Sequence, residues 1–192
     1  MGRPKAIDAE LTREGIIEAA LRILDAEGLE ALSLARIAAA LNVKTPALYW
    51  YFKSKADLYT YVSDAIFRNV LDSIGPTLTG RELLWAFGLA TRANQRSTKD
   101  AAKLISIAGV SEEIRTELVP ALLDRVAQEM SPVQARKALT AIQALTLGWS
   151  IFEANPATSE VMRKSNDESD AAFREALSHL VFGEIHREPD SG

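Results

Sequence analysis

Lys44 to Lys55 reads KTPALYWYFKSK, with three lysines, three tyrosine or tryptophan rings and no acid. Lysines meet phosphate oxygens and rings pack on sugars or bases, so the segment has the chemistry of a polyanion site. A solvated lysine-rich turn has the same composition, and on this segment alone both readings stand. Residues 1–60 carry eight basic and eight acidic side chains, and the remainder 14 and 18, which accounts for the whole net charge of −4. An acidic chain with one basic aromatic patch is expected to bind a polyanion there and something else elsewhere.

Other chemistries lack their residues. The 192-residue chain has no cysteine, so disulfide frameworks, cysteine-ligated zinc, iron–sulfur clusters and cysteine nucleophiles are excluded. Its two histidines, His179 and His186, are seven apart. A helical zinc pair usually sits at i, i+4 with a carboxylate base nearby, and no serine nucleophile motif accompanies either histidine. No metal, cofactor or enzymatic activity is therefore expected. Apolar types make up 47% and charged types 25%, which describes a globular chain rather than a disordered one. The N-terminus is polar and lacks the apolar core of a signal peptide. No window holds about 18 uncharged apolar residues, so no membrane span is expected and the expected location is cytoplasmic.

The elements that must position the basic segment are helical. Ile16, Ile17, Ala20, Leu21 and Leu24 form one apolar face, with Thr12 as N-cap and Gly28 as stop. Ser33 caps a second helix whose Leu34, Ile37, Ala38 and Leu41 face inward, and Asn42 closes it in the left-handed conformation. Thr45-Pro46 reads as an N-cap plus proline, opening a short helix that ends near Phe52. Ser54 and Asp57 resemble a capping box at the head of a long helix through Leu58, Val62, Ile66 and Val70, broken at Gly75-Pro76. Helices follow over 80–98, 100–109, 112–129, about 132–152 and about 168–186, with a loop at 154–167. No alternating strand pattern is present, so the fold is expected to be all-α, with an N-terminal three-helix unit over 1–53 and a helical domain over 54–192.

Residues 34–53 have the spacing of a helix-turn-helix. Ala38 is small at the crossing, Asn42 makes the turn, and Val43 and Leu48 plug the space between the helices. Thr45, Pro46 and Ala47 then lie at the N-terminus of the second helix, where side chains enter a major groove. Lys44, Lys53 and Lys55 flank it and meet phosphates. A helical hairpin inside an all-α core has the same spacing.

The stretch LARIAAALNVKTPALYWYFKSKADL closely resembles the DNA-binding domain of the tetracycline-repressor (TetR) family. Leu34, Ile37, Ala38, Leu41, Val43, Pro46, Leu48, Tyr49, Phe52, Lys55 and Leu58 fall at that family's signature positions, over about residues 10–60. The resemblance implies a dimeric, ligand-responsive regulator, most often a repressor, of a palindromic double-stranded operator. It places phosphate contacts at Tyr49 and Lys55 and the recognition helix at Thr45–Tyr51, including Trp50, with Thr45, Pro46, Ala47 and Tyr51 nearest the bases. A base-reading arginine of tetracycline repressors falls at Ala35, with Arg36 beside it. Arg3, Pro4 and Lys5 resemble the basic leader of many members. KDAAK at 99–103 and LTLG at 145–148 loosely resemble pieces of the tetracycline-repressor branch. The two histidines with which that branch holds a drug–magnesium chelate fall at Leu71 and Ile105, which implies a small, largely apolar, metal-independent effector.

The C-terminal helices carry two further patterns. Ala141, Ala144 and Gly148 make a small-residue face suited to close packing, and Phe173, Ala176, Leu177, Leu180 and Val181 make an apolar stripe. A homodimer interface is expected at Ala141, Ala144, Gly148, Phe173, Leu177 and Leu180; packing within the chain is the alternative. Phe67, Leu71, Trp85, Leu89, Leu104, Ile105, Leu145, Trp149 and Phe152 are candidates for a ligand pocket, with Thr91, Asn94, Gln95 and Gln143 as polar handles.

Overall fold

The computed structural model describes residues 11–155, 157–158 and 166–183, all helices and connections with no strand among them. The helices are α1 (Arg13–Glu27), α2 (Leu34–Leu41), α3 (Thr45–Leu48), α4 (Lys55–Asp72), α5 (Gly80–Ser97), α6 (Ala101–Ile107), α7 (Val119–Val126), α8 (Pro132–Ala154) and α9 (Asn166–Phe182). The leader at Arg3, Pro4 and Lys5, His186 and most of the expected 154–167 loop lie outside the described residues.

The local signals act as their chemistry dictates. Thr12 and Ser33 accept from the amides of Gly15 and Arg36, and Asn42 takes φ 54° and ψ 40°. The expected start of α3 is corrected by one residue: Lys44 is the N-cap and Thr45 the first helical position. The helix itself ends at Leu48, and only turns bonded to Leu48 carry the chain to Phe52. Ser54 caps α4 through the Asp57 amide, but Asp57 returns its bond to the Lys53 N–H rather than to Ser54. The expected helix over 112–129 opens instead with a π-helical turn, Ile114–Leu118, ahead of Pro120. Pro120 has no N–H to return to the preceding turn, and the wider i→i+5 turn accommodates that gap.

Two apolar cores share α4. In the first, Ile16, Leu24, Ile37, Leu48, Phe52, Leu58 and Val62 are fully buried, and Ala101 and Leu104 of α6 join them. In the second, Val70 of α4 packs with Leu83, Leu84, Phe87, Val126, Ile142, Phe173 and Leu177. The expected boundary at 53/54 falls on the N-cap of α4, while the first core runs on through Ile66. A second strut joins the parts: Asp100 accepts the Leu29 N–H at 3.1 Å and pairs with Lys103 at 2.9 Å, which together hold its carboxyl below the usual carboxylate range.

Gly88 lets α9 lie close on α5, since a Cβ there would stand 2.6 Å from Leu177 Cδ1. Leu177 is fully buried and has nowhere to retreat. Gly88→Ala should therefore destabilise the chain by about 1–3 kcal/mol through overpacking, despite alanine's better helix propensity. Urea unfolding checks this, and a stabilised variant would show that α9 yields.

Candidate nucleic-acid interface and ligand cavity

Ala38 and Leu48 are buried at the crossing of α2 and α3, and the Val43 N–H closes the turn on Ala38 O at 3.0 Å. This leaves the far side of α3 uncovered. Trp50 is 90% and Tyr49 55% exposed, beside exposed Lys44, Pro46, Lys53 and Lys55, with Thr45 and Ala47 half-buried. Lys55 Nζ sits 5.3 Å from the Tyr59 ring centroid. The result is one exposed aromatic and cationic surface around the N-terminus of α3.

Two expected contacts are placed differently. The half-buried Tyr51 donates its hydroxyl to Leu11 O, which ties it to the start of α1 rather than leaving it free for a base. Arg36 makes a two-pronged pair with Glu27, at 3.0 and 2.5 Å, that bridges α1 and α2. These pairings engage Arg36 Nε and Nη2 and the Tyr51 hydroxyl proton, while the other guanidinium N–H groups and the Tyr51 hydroxyl oxygen stay available and Trp50 is uncovered.

A cavity of about 160 Å³ lies between α4, α5, the end of α6, the π turn and α8. Phe67 and Ile105 line it, as do all four expected polar handles, Thr91, Asn94, Gln95 and Gln143. The other aromatic and aliphatic candidates lie elsewhere. Leu104 is fully buried in the first core, and Leu71, Leu89 and Leu145 pack against the second. Trp85 stacks on Phe182 with centroids 5.8 Å apart. Trp149 donates to Ser169 Oγ at 3.1 Å and meets Phe173 edge-on, joining α8 to α9. Phe152 is 56% exposed. Long amphipathic helices have more apolar residues than any cavity can use, and most of them hold helix to helix.

Sequence reasoning missed Asp64, Ser63 and the Ala108–Val110 connection, all of which line the cavity. Asp64 sits one turn before Phe67 on α4, and this i, i+3 spacing was the available signal. It is 6% exposed. Burial pushes its carboxyl above the usual range, against hydrogen bonds from the Ser111 hydroxyl and amide and the pull of Arg68. Since the folded carboxyl holds its proton more tightly than the unfolded one, stability falls as pH rises through the window from about 3.8 up to the raised value, and the loss persists above it. Asp64→Asn should remove that decline and leave a chain more stable than the parent at neutral pH. Denaturant titrations across the carboxylate range check this; an unchanged pH profile would contradict it.

The dimer expectations also divide. Phe173 and Leu177 are corrected: both are fully buried within the chain, because α9 folds back onto α5 and α8. Leu180 is half-buried at the edge of that core. Ala144 is exposed, Ala141 and Gly148 are half-covered, and a Cβ on Gly148 would meet nothing within 4 Å. Ile151 and Phe182 extend the uncovered apolar surface at 40% and 49% exposure.

Comparison with known proteins adds the family. Residues 16–62 match the model of bacterial regulatory proteins, tetR family. That segment belongs to the tetR family. The class E tetracycline repressor protein of Escherichia coli is 32% identical over 98 residues, 50% of this chain and 46% of that one. The chain thus spans about half or less of the curated relatives it matches. Likeness to solved structures runs further. A TetR variant of Acinetobacter baumannii AYE in complex with minocycline superposes with a TM-score of 0.73 at 26% identity, covering 91% of this chain and 96% of that one. BioQ with its natural double-stranded DNA operator superposes with a TM-score of 0.65 at 25% identity, covering 91% and 98%. These relatives are transcriptional regulators, not enzymes. Among the described residues of this chain, no helix is long and apolar enough to cross a membrane, and no three His, Asp or Glu side chains are grouped to hold a metal.

Proposed function

We propose that the protein is a homodimeric transcriptional repressor that binds a palindromic operator and releases it when a small, mostly apolar molecule enters the cavity. One observation carries this reading: α4 bears Lys55 beside the exposed α3 surface at one end and Asp64 and Phe67 in the cavity further along. A ligand releases DNA only through different affinities for two conformations, and a helix rooted in both sites gives it that means. BioQ's operator complex and the minocycline complex support the two partner classes by analogy.

In this reading residues up to 53 form the reading head and the chain from Ser54 onward forms the regulatory and dimer part. Lys44, Lys53, Lys55 and Tyr49 meet phosphates, and Thr45, Pro46, Ala47 and Trp50 face the groove. The uncovered face of Ala141, Ala144 and Gly148, continued by Ile151, packs against its copy across a two-fold axis. A two-fold protein reads two-fold DNA, so footprints on fragments enriched from genomic DNA should show an inverted repeat. Lys55→Ala should weaken all bound sequences alike, whereas Trp50→Ala should weaken the best sequences most. A single asymmetric half-site would contradict the dimeric reading.

A further inference from the structure

We infer that the cavity accepts a small amphiphile with one protonated amine, whose ring packs on Phe67 and Phe87 and whose ammonium pairs with Asp64. This rests on the reading of the cavity as the effector site and names the effector's chemical class.

Charge is the first argument. Among the described residues lining the cavity only Asp64 is ionisable, so the charge they fix in the wall is negative. No protein cation pairs with it among the described residues. Arg68, one turn along α4, is held by Glu113 at 2.7 Å, and Arg92 is held by Glu153 at 2.5 Å and Asp170 at 3.4 Å. The hydrogen bonds Asp64 accepts come from Ser111, a neutral group, and a carboxylate has room for more. A buried carboxyl that no cation pairs directly, with Arg68 acting on it only from a distance, favours an incoming cation and opposes an anion.

Hydrogen bonding is the second, independent argument. Thr91 Oγ1, Asn94 Oδ1 and Gln95 Nε2 are buried without partners, all on cavity-lining residues, with Thr91 6% and Gln95 8% exposed. The polarity of Gln95 follows from its neighbours. Arg92 Nη1 only donates, and it donates to Ser150 Oγ at 3.3 Å. The Ser150 proton therefore points on to Gln95 Oε1, 2.7 Å away, and the amide nitrogen is left as the free donor. The wall thus offers ammonium protons a carboxylate, a hydroxyl and an amide oxygen, and it offers a ligand acceptor the Gln95 amide NH2. Phe67 and Phe87, edge-to-face at 6.2 Å, supply the apolar seat, and their ring faces also favour a cation. At about 160 Å³ the space suits a single-ring molecule.

Calorimetry on the full chain with 2-phenylethylamine, 2-phenylethanol and phenylacetate tests this, since the three share a ring and differ in charge. The amine should bind at least about tenfold more tightly than the alcohol, as a charge-assisted bond to a buried carboxylate requires, and phenylacetate most weakly. Asp64→Asn should abolish the preference for the amine while alcohol binding persists, which also shows that the variant folds. Asp64→Glu should keep a preference. Equal binding of amine and alcohol, tightest binding of phenylacetate, no binding of any probe, or a preference that survives Asp64→Asn would each overturn the assignment. Release of bound DNA by each probe separates the two claims. If the alcohol or phenylacetate releases DNA better than the amine, the effector reading stands and the amine class falls. If the amine binds with the expected preference and DNA stays bound at saturation, the amine class stands and the effector reading falls.

Discussion

Phe52→Ala should cost the reading head about 3–5 kcal/mol, the range for deleting a fully buried aromatic side chain. Phe52 has no exposure, lies in the first core with Leu48 and Leu58, and meets Tyr61 edge-on at 5.7 Å. It stands between the end of α3 and the start of α4, so its loss leaves a cavity under the proposed DNA-facing surface. The second core does not touch it. Chemical denaturation should show the first core lost at lower denaturant, and DNA binding should disappear although no proposed DNA-contacting residue has been changed. A variant with parental stability and DNA affinity would show that α3 is not held by this core.

Glu153→Leu should cost about 2–3 kcal/mol, somewhat below the range for a broken fully buried ion pair, because the Glu153 side chain is 34% exposed. The cost arises at Arg92, whose side chain is 5% exposed. Without Glu153 the guanidinium keeps Asp170 at 3.4 Å, Ser150 and the Phe173 ring, 5.2 Å away. Adding Arg92→Met to Glu153→Leu removes a buried charge left with only the longer Asp170 ion pair, so the double variant should be more stable than the single. Burial alone would raise the Glu153 carboxyl, but hydrogen bonds from Arg92 and Ser169 and the nearby charges of Arg92 and Arg96 outweigh it and lower the value. Its stabilising effect is therefore complete above the ordinary value near 4.5 and is lost as pH falls through the lowered one. Thermal melts of parent, single and double variants at neutral and acid pH check both statements. A double variant weaker than the single would mean that the pair stabilises the fold outright.

How much of this was legible in the sequence depends on the range of the interaction. Thr12, Ser33 and Ser54 accept from amides three residues on, and Asn42 turns left-handed and donates its backbone N–H to the carbonyls of Ala38 and Ala39, each where its type and spacing predict. The one-residue error at Thr45 is also local, since Pro46 is accommodated at the second helical position as well as the first. Longer range decides the rest. An apolar stripe shows that a helix face is covered but not by what, and Phe173 and Leu177 are covered by their own chain. Gly88, a small residue in the middle of α5, marked where α9 could approach, but only the fold shows which helix does so. In the proposed interface the surface was legible for Lys44, Trp50, Lys53 and Lys55, because short-range geometry sets it. The bond from Tyr51 to Leu11 was not, because the two lie 40 positions apart. The cavity was legible in its polar handles, three of which, Thr91, Asn94 and Gln95, share one face of α5 at i, i+3 and i+4, and not in Asp64, which packs beside the Ser111 connection.

In the proposed reading the surface around α3 binds DNA as part of a two-fold regulator. Its most direct test is the affinity of the ligand-free protein for an enriched genomic fragment, measured across a series of salt concentrations. If a dimer neutralises about 6–10 phosphates, log K should fall linearly with log salt at a slope of roughly −5 to −9, and Lys55→Ala should flatten that slope by about one per subunit. An affinity that does not change with salt, or a slope that Lys55→Ala leaves unaltered, would contradict the assignment.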